Sequence, residues 1–310
     1  MAGKMAEMIE LARNSVQTWE TDGMGHMNVQ FYVEKAIQAL SALSVTLGIG
    51  PRFVEAEGAR LYVRDHHIRF LREQVAGSPF FIRGGVLDLH DFGLRLYQEM
   101  VNTSNGQVAA SFISEVELQD RDSRETLPLP AKAKAAAKDI MIELPAHGAP
   151  HGLVLSKPLR APTLAEAEQL GMMRTYQGEI LPAQCDAQGF LSAQRHIGTL
   201  SDAIPNLLAQ TAIGDRTINP DIGGAALEYR LIYRKPAKLG DIITVRTGLK
   251  QIGEKTYNWV HWLFDLETGQ IIATSEAIAI TMDLRARKAI PVPPDIRAAL
   301  EALLIDGLYV

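Results

Sequence analysis

Asp22-Gly23-Met24-Gly25-His26-Met27-Asn28 returns in outline as Asp186-Ala187-Gln188-Gly189-Phe190-Leu191-Ser192, an offset of 164 residues (186 less 22). Beyond that stretch the offset is 163 and holds: Asp65 with Glu228, Arg72 with Lys235, Gly77 with Gly240, Gly106 with Gly269, Ala110 with Ala273. Pro128-Leu129-Pro130 still meets Pro291-Val292-Pro293. One single-residue slip between residues 22 and 130 marks a duplicated domain, since solenoid units repeat every 20 to 50 residues or so. A chain of 310 residues has room for about two domains. Two fused copies of one fold are expected to pack as a single copy would in a homodimer.

Composition sets the class. Hydrophobic residues make up 47% and charged residues 22%, enough apolar material for full-sized cores in a soluble protein. The net charge of −5 argues against a nucleic-acid surface. Cys185 is the single cysteine, so no intrachain disulfide forms, which suits a reducing cytosol. The first thirteen residues mix Lys4, Glu7, Glu10 and Arg13 into their apolar positions, which excludes a leader h-region, and no run of 18 apolar residues occurs. A cytoplasmic protein without a membrane partner is expected.

Each copy reads as a short strand, a loop, one long helix and about four strands. In the first copy, residues 16–19 are the strand candidate. Val33, Ile37, Leu40, Leu43 and Leu47 recur at helical spacing across residues 29–47. Gly48, Gly50 and Pro51 then stop the helix. Strands are expected over 60–70, 79–89, 94–102 and 107–118, with Asn105-Gly106 as a hairpin turn. In the second copy helical spacing runs from Ile197 to Leu208, with Pro205 expected to kink or restart the helix. Strands follow over 225–233, 241–249, 256–264 and 271–282. This is an α+β pattern, and its simplest packing curls each sheet around its own helix. On strand 256–264, Trp259, His261 and Leu263 alternate with Val260, Trp262 and Phe264, so both faces are bulky and burial against the other copy or another chain is expected. Residues 132–138 form a helix-former run, and residues 145–152 are the most linker-like stretch, with His147 and His151 taken as solvated. The boundary falls near residue 148, giving domains 1–148 and 149–310.

The segment Thr21 to Asn28, with Tyr32 one turn on, resembles the start of the 4-hydroxybenzoyl-CoA thioesterase-like branch of the hot-dog superfamily, in which an Asp-x-x-Gly-His-x-Asn segment leads into the long central helix. The element order, the basic-then-Gly segments (Arg72 to Gly77, Lys235 to Gly240) and the closing Pro-x-Pro are similar too. The second copy departs from the pattern, with Phe190, Ser192 and His196 where the first has His26, Asn28 and Tyr32. The resemblance implies two tandem hot-dog domains, each a long helix wrapped by an antiparallel sheet. It also implies hydrolysis of an acyl thioester such as acyl-CoA, with an Asp as nucleophile or general base. No metal or cofactor is required, because a thioester has little resonance stabilisation and a good leaving group.

The residues support that chemistry directly. A carboxylate in a loop before a helix can attack a thioester carbonyl or deprotonate a water that does. Unpaired amides at the helix start are the donors a developing oxyanion needs. Asp22 and Asp186 are therefore candidate catalytic carboxylates, with the alternative that each is a turn residue. His26 can bond the carboxylate or the substrate carbonyl, or pack near the helix start. Asn28 stands at the expected N-cap. Tyr32 projects from the first turn towards the site or into the core, and His196 projects towards the site or, alternatively, towards solvent or the seam between the copies. Cys185 beside Asp186 offers a thiol, but Thr21 holds that place in the first copy. Arg69 and Arg72, and Arg234, Lys235 and Lys238, are candidate donors to the phosphates of an acyl-CoA. His66 and His67 point to opposite faces of a strand, one of them outward and solvated. Two other classes compete: a hot-dog hydratase or dehydratase, and a non-catalytic acyl-thioester binding module. A homo-oligomer of the two-domain unit is compatible with all three.

Overall fold

The computed structural model describes residues 6–158, 160–211 and 221–310. The chain divides into two compact units, Met1–Pro150 and His151–Val310. The first unit contains β1 (Ile9–Ser15), α1 (Val29–Thr46), α2 (Pro51–Glu57), β2 (Ala59–Phe70), β3 (Pro79–Leu89), β4 (Gly93–Asn102), β5 (Val108–Asp120) and α3 (Ala131–Asp139). Its antiparallel strands lie in the order β1-β3-β4-β5-β2. The second unit contains α4 (Leu164–Gln169), β6 (Met173–Glu179), α5 (Ala193–Ala209), β7 (Ile222–Tyr233), β8 (Ile242–Ile252), β9 (Thr256–Asp265), β10 (Ile271–Asp283), β11 (Lys288–Ala289) and α6 (Pro294–Glu301). Its strands run β6-β8-β9-β10-β7, the same order, with β11 added to β10.

The repeat is kept in the fine geometry. Each sheet has a register shift at Leu11 and Thr175, at Arg64 and Leu227, at Leu87 and Lys250, and at Ala109 and Ile272. Every pair stands at the offset read from sequence. A bulge sets two residues against one and re-aims the side chains beyond it, so keeping all four keeps the inward and outward faces of both sheets. Gly25 and Gly189 share a left-handed backbone (φ 81° and 79°), as do Gly77 and Gly240 (83° and 89°), a conformation that only glycine adopts without strain. α3 and α6 are equivalent helices, each beginning after its Pro-x-Pro.

α1 is the core of the first unit. Val33, Ala36, Ala39, Leu40 and Leu43 are buried, and Ala36, Ile37 and Leu40 face Val63, Leu96 and Val116 of β2, β4 and β5. In the second unit Leu207 of α5 packs with Leu249, Tyr257 and Trp259. Each unit is thus a helix held against its own antiparallel sheet. Among the described residues no single helix is long and apolar enough to cross a membrane.

Several expectations are corrected. Residues 16–19 are not a strand: the strand lies earlier, at β1, and Thr18–Glu20 is a 3-10 turn closed by the Glu20 side chain on the Gln17 amide (2.9 Å). α5 runs unbroken through Pro205. A proline deletes one donor, and the remaining bonds of the helix together with the buried Ile197, Leu200, Ala203 and Leu207 hold it. The outer face of β9 is covered from within its own unit: Val260, Trp262 and Phe264 pack with Ala167, Met172 and Leu308, and the Trp262 indole donates to the Tyr309 carbonyl at 2.9 Å. His66 and His67 are both buried, each 1% exposed.

In the 145–152 stretch His147 and His151 are exposed, as expected, but hydrogen bonds hold the segment in place. His147 Nε2 lies 2.6 Å from Oε2 of the fully buried Glu99, which also accepts from the Tyr97 hydroxyl (2.8 Å) and, through Oε1, from Arg83 (2.7 Å). Arg69 donates to the carbonyls of His147 and Ala149 (2.7 and 2.8 Å). In the second unit the buried Glu228 carboxylate accepts from the amides of His151, Gly152 and Leu153. Arg230 binds the carbonyls of Val154 and Ser156. Buried charges satisfied by backbone in this way fix a segment that composition alone marks as loose.

Candidate active site

The Asp22 loop is a closed turn. The Asp22 amide donates to the His26 carbonyl (2.8 Å) and the Gly25 amide to the Asp22 carbonyl (3.0 Å). Asp22 Oδ1 accepts from the Met24 amide (2.8 Å) and the His26 amide (3.2 Å). Oδ2 has no hydrogen-bond partner among the described residues, and Asp22 is exposed. The same bonds recur around Asp186: its amide to the Phe190 carbonyl (2.7 Å), Gly189 to its carbonyl (3.0 Å), and Oδ1 to the amides of Gln188 and Phe190 (both 3.0 Å). Each loop is tied to the strand segment before its second repeated glycine, Met27 to Gln74 (2.7 Å) and Leu191 to Ala237 (2.9 Å). In both copies the Asp is therefore a turn-former with one oxygen committed to the backbone.

Asn28 is the N-cap of α1, its side chain accepting from the Gln30 amide at 3.1 Å; Ser192 caps α5 by accepting from Arg195 at 3.3 Å. The Phe31 amide bonds the Asn28 carbonyl (3.0 Å). The Val29 amide is left without a partner among the described residues, one of the orphan donors of a helix start.

The surroundings differ between the copies. His26 Nε2 stands 3.5 Å from Glu73 Oε2, whereas the second copy has Phe190 and Pro236 at those positions, with the Lys238 ammonium 5.6 Å from the Phe190 ring. Beneath the first loop, Glu20 and Lys35 form a buried ion pair at 2.5 Å, 2% and 4% exposed. The second copy has Gln184 and Thr199 there; Gln184 still caps its 3-10 turn (2.8 Å to the Leu181 amide) and Thr199 bonds back to the Arg195 carbonyl. This pair escaped the sequence reading because its members are 15 residues apart and share no motif. The inward stack after each helix start is also altered. Tyr32 meets Phe70 edge-on at 5.2 Å, and His196 meets Tyr233 edge-on at 4.9 Å.

Tyr32 is 4% exposed. Burial pushes its phenol well above the ordinary value; the charges of Glu73 and Asp22 add to this and the Gln74 backbone opposes it. Tyr32 is thus a neutral hydroxyl beside the loop. His196 is 5% exposed and engages the Ser192 carbonyl through Nδ1 at 2.8 Å, so it faces neither solvent nor open loop. Cys185 is held as a thiol: burial first, then the charges of Asp186 and Asp241, push its pKa up, the reverse of an activated nucleophile.

The basic candidates divide. Arg72 and Lys235 are exposed, Arg72 reaching the Leu71 carbonyl (2.7 Å) and Lys235 the Gln270 side chain (2.8 Å). Arg69 is committed to the connecting segment and is not a mouth residue.

Comparison with known proteins agrees with this architecture. The sequence profile of the thioesterase-like superfamily matches residues 16–137 and 180–300, one match per copy. The chain is 29% identical over 135 residues to a betainyl-CoA thioesterase of Pseudomonas aeruginosa, covering 43% of this chain and 84% of that protein. It is 23% identical over 133 residues to an L-carnitine dehydrogenase/betainyl-CoA thioesterase of Rhizobium meliloti, of which it spans 27%. Two solved structures share the fold at 12% identity: an acyl-ACP thioesterase from Bacteroides thetaiotaomicron (TM-score 0.64, 86% of this chain and 96% of that one) and a 12:0-ACP thioesterase from Umbellularia californica (TM-score 0.66, 88% and 94%). With both halves matched and both folded as a helix against an antiparallel sheet, the chain belongs to the thioesterase-like superfamily as a tandem hot-dog protein.

Proposed function

We propose that the protein hydrolyses acyl-CoA thioesters to the free acid and CoA, with the Asp22 loop as the working site. The observation that carries this reading is the Asp22 carboxylate, pinned through Oδ1 by two amides with Oδ2 open at the mouth of α1. A carboxylate so held needs little reorganisation to act as a base. Oδ2 takes a proton from water, the water oxygen bonds to the thioester carbon, and the carbon–sulfur bond breaks with the thiolate leaving. Direct attack by Oδ2, giving a mixed anhydride that water then opens, uses the same geometry. The Val29 amide is the oxyanion donor, and one such donor is typically worth roughly 2.7–4 kcal/mol. His26, set by Glu73, faces the same loop and orients the carbonyl. Arg72 serves the phosphates of a CoA at this loop, and Lys235 those at the Asp186 loop.

Release of free thiol from a panel of acyl-CoAs tests the reading. The panel runs from straight-chain acyl groups to betainyl-CoA, included because two relatives carry that name. Thiol release that is lost in Asp22→Asn supports the assignment. Binding of acyl-CoA with no thiol release by the wild type would mark a binding module, and hydration of an enoyl-CoA with the thioester intact would mark the hydratase class.

A further inference from the structure

We propose that a pocket at the C-terminal end of α1 is a second ligand site, for a monocarboxylate with a short apolar body. The pocket holds about 350 Å³, within the range of small-molecule sites, and its lining includes Ser41 of α1, Ile49, Val54 and Glu55 around α2, and Arg60 and Arg121. It is not the Asp22 loop: from the Asn28 cap to Ser41, α1 rises about 20 Å.

The two arginines set the ligand's charge. They come from adjoining chain ends, since the Arg121 amide donates to the Gly58 carbonyl (2.8 Å) just before β2. Arg60 donates to Ser41 Oγ at 3.2 Å, and no carboxylate lies within ion-pair distance of it among the described residues. Arg121 has Asp122 at 3.8 Å, beyond hydrogen-bond reach, and that aspartate is 76% exposed. Arg121 Nε is buried without a hydrogen-bond partner. With Arg60 bonded only to a neutral hydroxyl and Arg121, 40% exposed, only loosely paired with Asp122, two guanidinium groups line the pocket over an apolar floor with donors open to an anion. Their planar forks match a carboxylate. Ile49, 2% exposed, and the half-buried Val54 supply the apolar floor. Glu55 on the rim opposes a second negative charge, which favours a monocarboxylate over a phosphate ester or a nucleotide.

Octanoate titrated into the full-length protein by calorimetry tests the site. Saturable binding is expected, weakened about tenfold or more in Arg60→Gln and in Arg121→Gln, consistent with loss of a charge-assisted bond. Glu55→Gln should tighten it, and Val54→Trp, which fills the pocket without touching the arginines, should remove it. Asp22→Asn should leave it unchanged, which separates this site from product held in the loop. No saturable binding would overturn the proposal, as would binding indifferent to both arginine variants or binding lost in Asp22→Asn. Octyl phosphate binding more tightly than octanoate would overturn the carboxylate assignment.

Discussion

The Asp22 and Asp186 loops have the same skeleton and different surroundings. The backbone bonds that close one loop have their counterparts in the other, down to the two amides on Oδ1, and the second loop adds one from the Leu239 amide to the Gly189 carbonyl (2.8 Å). The shared part is what the turn and the helix entry demand, so an Asp in both copies is required by the fold whether or not it does chemistry. Chemistry has to be sought in what differs. The first loop has His26 against Glu73 and rests on Glu20–Lys35, while the second has Phe190, Pro236, Gln184 and Thr199. A His–Glu contact and a buried ion pair stand beside one carboxylate, and an aromatic ring with neutral side chains and a nearby lysine beside the other, so the two loops have diverged.

The largest effect expected is on the buried ion pair that only the first copy has. Lys35→Met leaves Glu20 buried and unpaired, at a cost of about 3–5 kcal/mol. The double change Glu20→Gln with Lys35→Thr, which writes the second copy's residues into the first, should recover most of that loss in denaturant unfolding. Failure to recover would show that the ground beneath the two loops is not equivalent.

Acid should distinguish the copies next. Burial, with the neighbouring His67 adding, holds His66 down to about 3, and burial holds His261 to about 4. Both are neutral when folded and take up a proton on unfolding below their ordinary value, so stability falls as pH drops from about 6.5 towards 3. At pH 5 each contributes a loss of about 2 kcal/mol. The second copy has Tyr229 at the His66 position. His66→Tyr should therefore flatten part of the acid limb, and an unchanged limb would mean that His66 is not neutral in the native state.

Asp22→Asn keeps an oxygen for the two amides and removes only the charge. Thiol release should fall at least about tenfold, roughly 1.4 kcal/mol of barrier, with little change in melting temperature. Asp186→Asn should do less, and the reverse order would exchange the ranking of the sites. His26→Phe, which copies Phe190, carries the smallest expected effect, a fall of about threefold, less than 1.4 kcal/mol.

Much of the architecture was legible because its signals are local. The steps of Val33, Leu40, Leu43 and Leu47, the Asn105-Gly106 turn and the constant offset report periodicity and backbone need, which a sequence displays directly. What escaped reading depends on partners distant in the chain. Lys35 looks like a surface residue of a helix until Glu20 is placed against it. His147 is exposed, as its Pro/Gly stretch suggests, yet Glu99, Tyr97 and Arg69 hold it in place. Trp262 was expected to need another copy, and the chain's own last residues cover it. The loop carboxylates were legible as candidates, but their ranking was not, because the motif contains neither Glu73 nor the Glu20–Lys35 pair.

The four matched bulges make the two copies interchangeable in parts. Because both sheets pause at equivalent positions, a segment moved from one copy to the other at the offset found here arrives with its faces already correct. Residues 20–35 and 184–199 are of equal length and begin and end at equivalent points, so a chimera exchanging them transfers a loop, a cap and the first turns of a helix without disturbing a single strand register. Such a chimera carries His26 and the Glu20–Lys35 pair to the second copy while leaving Glu73 behind, and so separates the loop's own residues from their strand-borne neighbour.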